Sequence, residues 1–187
     1  MSPTALVAVL AGGASRRMGA AKPLAPLGGR PLIAWPLAAA AAAGLRAVVV
    51  AKSTTPLPPV DVEVWLEPDT PQHPLTGLVC ALERCGGAVV AVGCDQPWLT
   101  PDLLARLAAA AGCAAPLVGD TFEPFPARYP PAALDALRAG RDAQAPVRRV
   151  LAELGPEPVA LEDPRLVAGV NTPEALAAAE RSLGSRR

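Results

Sequence analysis

A glycine pair followed by basic side chains is the segment of this 187-residue sequence best suited to chemistry. It reads Leu10-Ala11-Gly12-Gly13-Ala14-Ser15-Arg16-Arg17-Met18-Gly19-Ala20-Ala21-Lys22 and continues an apolar run. Adjacent glycines let the backbone approach a phosphate group closely, and Arg17 and Lys22 can neutralise its charge. Taken alone, the segment predicts an anion-binding turn suited to a triphosphate, and an ordinary solvated turn fits it about equally well.

Two familiar phosphate-binding loops do not fit this segment. The dinucleotide fingerprint needs the pattern G-x-G-x-x-G, but Gly12 and Gly13 are adjacent and the third glycine stands much further on. The P-loop needs a lysine followed by Ser or Thr at the start of a helix, but Lys22 precedes Pro23, which a helix interior does not tolerate. If the segment binds phosphate, it therefore does so as a different kind of loop.

An acidic residue, Asp95, follows the apolar run 88–93 closely. Because the carboxyl ends of parallel strands share one edge of a sheet, Asp95 is expected to face the glycine loop. Mg²⁺ prefers oxygen ligands and is commonly held by one or two carboxylates together with substrate phosphates. The position therefore predicts a Mg²⁺ ligand, and the alternative is an Asp that only caps the turn with Gln96 and Pro97.

The composition excludes several classes of partner and site. Acidic and basic residues balance at 17 each, and aromatic residues make up 3%, so neither a general attraction to nucleic acid or membranes nor a base-stacking surface is expected. The four cysteines form no C-x-x-C pair and the chain has one His, which predicts reduced, buried thiols rather than zinc ligands. The apolar stretch 6–11 lacks a preceding basic region and runs into the glycine loop, so we expect a cytoplasmic protein with a small-molecule partner.

These residues must be positioned by an α/β fold, because short β-branched runs alternate with longer helical patterns. We predict one domain over residues 1–187, a three-layer α/β/α arrangement with a mostly parallel sheet, with a nucleotide-binding half of about 1–112 and an acceptor-side half of about 113–187. The predicted strands are 6–11, 47–50, 62–66, 88–93 and 158–161, with a hairpin turn at Gly119-Asp120 and an extended segment 125–129. The predicted helices are 31–43, about 75–84, 147–154 and 172–183. A further helix is predicted after its N-cap residue Thr100, and another after the extended segment 125–129.

Four motifs in order resemble the molybdenum cofactor guanylyltransferase family, which has a Rossmann-like nucleotidyltransferase fold. They are the segment matching L-A-G-G-x-S-x-R-M-G-x-x-K, Pro74-Leu75-Thr76-Gly77, Cys94-Asp95-Gln96-Pro97 and Asn171-Thr172-Pro173-Glu174. The resemblance spans nearly the whole chain. It implies transfer of GMP from GTP to molybdopterin cofactor with release of pyrophosphate, Mg²⁺ as cofactor, and transient contact with the proteins that make or receive the product.

The resemblance also implies a role for individual residues. Arg17 and Lys22 would hold the phosphates and stabilise developing charge, while Asp95 positions Mg²⁺ and contacts the nucleotide. The remaining GTP-binding residues implied in this way are Leu10, Ala11, Gly12, Gly13 and Asp69. Glu67 is the alternative to Asp69.

The sequence departs from the family at two places. Ala51-Lys52-Ser53 stands where the best-known members carry an Asn, so a side-chain amide contact to the nucleotide is missing unless backbone groups or Ser53 replace it. Gly169-Val170-Asn171 retains only the second of two Asn residues, and Asn171 belongs either to the site or to the start of the last helix. We expect the Arg148-Arg149 pair to be a solvated helix face, with binding of an acceptor phosphate as the alternative, and His73 to lie in a polar loop.

Two rival functions remain at this point. The triphosphate loop does not name the base, so a CTP-dependent molybdopterin cytidylyltransferase or a related transferase with another acceptor fits the same motifs. A nucleotide-binding regulatory module without turnover is the rival from another class, and the joint presence of Arg17, Lys22 and Asp95 argues against it.

Overall fold

The computed structural model describes residues 5–13 and 21–184. The strands are β1 (Leu6–Leu10), β2 (Pro26–Leu27), β3 (Arg30–Pro31), β4 (Ala47–Ala51), β5 (Glu63–Leu66), β6 (Val89–Gly93), β7 (Ala114–Val118), β8 (Thr121–Phe122), β9 (Ala127–Tyr129) and β10 (Glu157–Val159). The helices are α1 (Ala34–Ala42), α2 (Leu75–Cys85), α3 (Pro101–Ala109), α4 (Leu134–Asp142), α5 (Val147–Glu153) and α6 (Pro173–Gly184). Short 3₁₀ turns lie at Lys22–Leu24, Pro131–Ala133 and Pro164–Val167.

The main sheet has the strand order β10-β7-β9-β6-β1-β4-β5. Strand β1 lies between β4 and β6 and is parallel to both, with Val7 opposite Ala47 on one side and Val90 on the other. Strand β9 enters antiparallel to β6, and β8 folds back antiparallel on β7. The central strands are apolar almost throughout because helices cover both faces of the sheet.

Two core clusters lie on opposite faces of the sheet. One contains side chains of α2, α4 and α5, including Leu78, Leu137 and Leu151, all essentially buried. The other contains side chains of α1 and α3, including Ala40 and Leu104, also buried. The arrangement of helices, sheet and helices confirms the predicted three-layer α/β/α architecture.

A third, smaller cluster is formed by the β2–β3 hairpin, helix α6 and the segments next to them. We call it the hairpin cluster: Ala25, Leu27, Leu32, Val170 and Ala179, with Trp35, Trp98, Ala175, Leu176 and Leu183 packed against them. It joins the β2–β3 hairpin to α6, and Glu180 of α6 accepts a hydrogen bond from the Gly28 backbone at 2.7 Å. This cluster connects segments that are about 150 residues apart in the sequence.

Most predicted elements are present, and their ends need correction. Helix α1 begins at Ala34 and not at Pro31, because Arg30–Pro31 forms β3. The last predicted strand is shifted to Glu157–Val159. The four cysteines are free thiols, as expected. Among the residues described, no helix is long and apolar enough to cross a membrane. The division into a nucleotide-binding half and an acceptor half stays a prediction.

Candidate active site

A cleft of about 690 Å³ runs along the edge of the sheet where β1, β4, β5 and β6 end. Its lining comes from successive connections: Leu10, Gly12 and Gly13 after β1; Lys52, Thr54 and Thr55 after β4; Glu67 after β5; His73, Pro74 and Gly77 at the start of α2; and Gly93 and Phe125 beyond them. This edge is where open α/β sheets bind ligands. The cleft therefore lies at the sheet edge where the glycine loop was predicted. Asp95 is not among the described residues that line it, but Gly93, two residues before Asp95, is.

Lys22 joins two polar side chains from distant parts of the chain. Its ammonium Nζ donates to Asp95 Oδ2 at 2.8 Å and to Asn171 Oδ1 at 2.5 Å. The Lys22 and Asp95 side chains are 21% and 16% exposed, so this ion pair is screened less than the surface pairs. The structure thus brings the predicted Lys22 and Asp95 together and adds Asn171 to them.

The hairpin cluster explains why these three residues meet. Lys22 begins the turn that leads to Ala25, Trp98 follows Asp95 by three residues, and Val170 precedes Asn171. The Val170 backbone N–H also donates to the Asp95 carbonyl oxygen at 2.7 Å. Packing within one small cluster therefore determines the distance between the three polar side chains.

Asn171 is not the residue that caps the last helix. The Thr172 hydroxyl accepts a hydrogen bond from the Ala175 backbone N–H, which is the usual N-cap contact. Gly169, at the position of the missing first Asn, has no room for a side chain without movement. A Cβ there would lie 2.9 Å from Asn171 Nδ2 and 3.3 Å from Asp95 Oδ2.

Glu67 enters the cleft between two glycines. A Cβ on Gly12 would lie 1.7 Å from Glu67 Oε1, and a Cβ on Gly77 would lie 2.5 Å from Oε2. Burial raises the pKa of the Glu67 carboxyl to about 7, while Lys52 opposes the shift and Asp69 adds to it. A carboxyl group that titrates near neutral pH and lines a cleft is a candidate ligand-binding group.

The turn after β4 contributes differently from the expectation. Lys52 Nζ donates to the Asp69 backbone oxygen at 2.7 Å, which ties this turn to the loop after β5. Asp69 itself is exposed, and it is Glu67 that lines the cleft. Thr54 and Thr55, which were not predicted, also line the cleft. They provide hydroxyl groups just after the Ala51-Lys52-Ser53 segment, where the side-chain amide of the family's Asn is missing.

The other residues singled out from the sequence are distributed as follows. Leu10, Gly12 and Gly13 line the cleft, and Ala11 is buried with its N–H donating to the Val50 oxygen. Arg17 lies outside the described residues. Arg149 pairs with Glu153 one turn along α5, and both side chains are exposed, whereas Arg148 reaches from α5 to Glu123, which follows β8 and is 21% exposed. Both arginines have acidic partners within the protein, which favours the interpretation as a helix face over binding of an acceptor phosphate.

His73 has a structural contact as well as a place in the cleft. Its Nδ1 accepts a hydrogen bond from the Leu75 backbone N–H at 3.2 Å, so Nε2 carries the proton and donates to the Ala145 oxygen at 3.0 Å. The ring therefore connects the start of α2 to the turn between α4 and α5. This bridging contact was not predicted for a residue expected in a polar loop.

The described residues also fit a divalent metal, though not one held by protein ligands alone. No three His, Cys, Asp or Glu side chains in the described ranges form a ligand set. The Asp95 carboxylate and the Asn171 amide oxygen nevertheless converge on a single cation, the Lys22 ammonium. Two oxygen ligands that leave other positions to substrate oxygens are the usual setting for Mg²⁺ in proteins.

Comparison with known proteins gives the family. Residues 7–159 match the family model described as the MobA-like NTP transferase domain, which is most of the chain. The chain belongs to this family. It is 36% identical to a molybdenum cofactor guanylyltransferase of Rhodobacter capsulatus, over 94% of both chains, and 30% identical to one of Cereibacter sphaeroides, over 94% of this chain and 95% of the relative. This MobA-like protein is therefore a nucleotidyltransferase.

Solved structures support the same conclusion at the level of the fold. The molybdopterin-guanine dinucleotide biosynthesis protein A of Archaeoglobus fulgidus superposes with a TM-score of 0.78 at 27% identity, covering 96% of this chain and 99% of the other. A nucleotidyl transferase of Methanothermobacter thermautotroptrophicus superposes with a TM-score of 0.81 at 21% identity, covering both chains fully, and shows the shared fold alone.

The close approach of Glu67 to the glycine loop predicts unequal effects of two neighbouring substitutions. Gly12→Ala forces the Glu67 carboxyl group to move, because no Cβ fits 1.7 Å from its oxygen. The displaced atoms are the free end of a long side chain, so we expect little change in stability but about tenfold weaker binding of a nucleoside triphosphate, through the loss of the Glu67 contact. Gly13→Ala is the matched control, since nothing in the described part of the chain lies within 4 Å of a Cβ there. Calorimetric titration of both variants with the triphosphate measures the difference, and equal affinities would contradict the observed packing.

Proposed function

We propose that this MobA-like protein transfers GMP from GTP to molybdopterin cofactor, forming the guanine dinucleotide cofactor and pyrophosphate in a Mg²⁺-dependent reaction. The observation that carries the proposal is the meeting of Lys22, Asp95 and Asn171 in the neighbourhood of the glycine loop. Such a cluster brings a cation and two oxygen ligands to the point where a triphosphate is expected. The relatives named guanylyltransferases support the choice of substrates.

The chemistry requires positioning and charge neutralisation more than proton transfer. A phosphate oxygen of the acceptor attacks the α-phosphorus of GTP, the new P–O bond forms, and pyrophosphate leaves in line with it. The acceptor phosphate is already ionised at neutral pH, so no general base is required. Lys22 and Arg17 would hold the phosphate oxygens and stabilise the charge that develops on them.

Asp95 and Asn171 would hold the metal on the protein side. When bound, Mg²⁺ supplies Lewis-acid stabilisation of the phosphate oxygens. Lys22 contacts both metal-site candidates, so it would also set the position of the phosphates relative to Asp95. This shared position makes Lys22 and Asp95 the residues whose replacement we expect to slow the reaction most.

Glu67 would read the base. A carboxylate only accepts hydrogen bonds, and guanine presents the N1–H and the N2 amino group as adjacent donors. Cytosine presents one amino group beside the acceptor N3, which a carboxylate repels. The position of Glu67 in the cleft therefore favours guanine, and we propose Glu67 for the role that the sequence analysis assigned to Asp69.

Pyrophosphate release measured separately with each nucleoside triphosphate tests this function. With molybdopterin cofactor and Mg²⁺ present, we expect turnover with GTP and at least about tenfold lower kcat/KM with CTP, because of the repulsion between Glu67 and cytosine N3. Turnover with CTP alone would overturn the guanine assignment. Nucleotide binding without turnover would instead favour the regulatory-module alternative.

A further inference from the structure

The order of the strands predicts the order in which the base, the phosphates and the acceptor lie along the cleft. Residues that follow β5 and β4, such as Glu67 and Lys52, lie at one end, the glycine loop after β1 is next, and Asp95 after β6 comes third. Strand β9 is the following strand beyond β6. If the base lies at the β5 end and its phosphates at β1, in-line attack must come from the β9 side of Asp95.

Phe125 occupies that side of the cleft. The antiparallel β6–β9 ladder ends with the pair Ala91 and Ala127, and Phe125 precedes β9 by two residues. Phe125 and Gly93, the last residue of β6, both line the cleft. Phe125 is half-buried and is the one Phe, Tyr or Trp among the described residues that line the cleft.

Two buried polar side chains hold the backbone at Phe125 in place. The Gln96 amide Nε2 donates to the Phe125 oxygen at 2.5 Å and to the Val167 oxygen at 2.9 Å, while its Oε1 accepts from the Gly93 N–H. The fully buried Tyr129 hydroxyl donates to the Pro124 oxygen at 2.9 Å. Gln96 thus connects the loop that carries Asp95 directly to the Phe125 backbone, and these hydrogen bonds hold that backbone in place.

We propose that Phe125 is the residue against which the ring system of the acceptor packs, with the acceptor phosphate directed at Asp95. This inference rests on the proposed function and adds to it the position of the acceptor and the chemical class of its ring. A flat fused heterocycle matches a rigid aromatic face, because offset stacking needs a planar partner at a fixed position. Gln96 and Tyr129 are positioning residues that act through the Phe125 backbone.

The test compares the kinetic constants of the two substrates in Phe125→Leu. Leucine keeps an apolar side chain but removes the planar ring, so we expect the KM for molybdopterin cofactor to rise about tenfold through the loss of stacking. The KM for GTP is expected to stay within about twofold of the wild-type value, because the base lies at the opposite end. Phe125→Tyr retains the ring and is expected to restore the acceptor KM.

Phe122→Leu is the matched control. Phe122 packs against the same core cluster and is not among the described residues that line the cleft, so this variant reports the cost of losing a core phenyl ring alone. Thermal unfolding of each variant checks that the fold is retained. An acceptor KM unchanged in Phe125→Leu, a rise of equal size in Phe122→Leu, or a rise in the GTP KM instead would overturn the inference while leaving the proposed function intact. A wild-type protein that fails to turn over GTP with molybdopterin cofactor would overturn both.

Discussion

Asp95→Asn is expected to lower kcat about 1000-fold and to leave the fold intact, because it removes a charged group that is proposed to act in the transition state. Asparagine has nearly the same shape, and its amide oxygen can still accept the hydrogen bond from Lys22. What it lacks is the negative charge that balances the Lys22 ammonium and that, in the proposed reaction, would hold a divalent cation. Steady-state kinetics with saturating GTP and acceptor, together with a thermal unfolding curve, measure both quantities.

Asp102→Asn is the control for this substitution. Asp102 lies in the first turn of α3, its side chain is 78% exposed, and it pairs with Arg106 one helical turn away. Exposed pairs of this kind contribute little, so we expect kcat within about twofold of the wild-type value. Mn²⁺ binding in the presence of GTP, followed by electron paramagnetic resonance, adds a readout without turnover. Normal rate and normal Mn²⁺ binding in Asp95→Asn would exclude the proposed metal role.

The central strands of the sheet are the part of the fold that the sequence predicted best. The segments that form β1, β4 and β6 are uninterrupted apolar runs, and burial on both faces of a parallel sheet produces that pattern directly. The loop after β7 was also predicted, because Gly119 and Asp120 form its turn, and Gly119 adopts a φ of +57°. Local chemistry decides these features, so a single sequence reveals them.

The β2–β3 hairpin was mistaken for the start of a helix. Pro31 before an alanine-rich stretch is typical of the first position of a helix, and that local preference outweighed the signal of the preceding Gly28-Gly29 pair. Both glycines have positive φ, +59° and +76°, as a two-residue hairpin turn requires. The hairpin is further held by the contact of Gly28 with Glu180, 152 residues away, which no local pattern contains.

The meeting of Lys22 and Asp95 followed from topology, whereas the choice between Glu67 and Asp69 depended on side-chain direction. Alternate residues of a strand share a face, and Glu67 follows the buried Trp65 by two positions, so it continues the covered face of β5. Pro68 intervenes before Asp69, whose side chain is exposed. Asp69 has the same strand parity as Trp65 and Glu67, so the strand period alone does not separate the two acidic residues; the exposure of Asp69 beyond Pro68 does.

Glu67→Gln is expected to remove a pH dependence from GTP binding. Because the pKa of Glu67 is raised to about 7, the wild-type side chain is mostly protonated at pH 6 and mostly ionised at pH 8. The ionised form accepts both guanine donors, so the wild-type KM for GTP should fall about tenfold over this interval, following the ionised fraction. Glutamine does not titrate, and its amide N–H₂ faces one of the two guanine donors. The KM for GTP of Glu67→Gln should therefore be about 10–100-fold above that of the wild type at pH 8, and this ratio should shrink toward pH 6.

The same substitution, which is expected to weaken GTP binding, is expected to raise the free energy of unfolding. A carboxyl whose pKa is higher in the folded than in the unfolded state binds more protons when folded, so its contribution to stability is present below the unfolded value near 4.5 and is lost as pH rises toward 7. At pH 8 the free energy of unfolding of Glu67→Gln should therefore be about 1–2 kcal/mol above that of the wild type, because the side chain is only partly buried. At pH 4 the two free energies should be equal.

Glu63→Gln supplies the reference for both measurements. Glu63 is the first residue of β5, the strand that Glu67 follows, its side chain is 61% exposed, and hydrogen bonds from Trp65 and Arg46 lower its pKa. The γ-phosphate of GTP titrates equally in every variant. Only the difference between the Glu67→Gln and wild-type profiles of KM against pH therefore reports the titration of Glu67. Glu63→Gln should follow the wild-type profile. If Glu67→Gln bound GTP more weakly yet kept the wild-type pH profile, the side chain would act by packing between Gly12 and Gly77 rather than by accepting hydrogen bonds from the base.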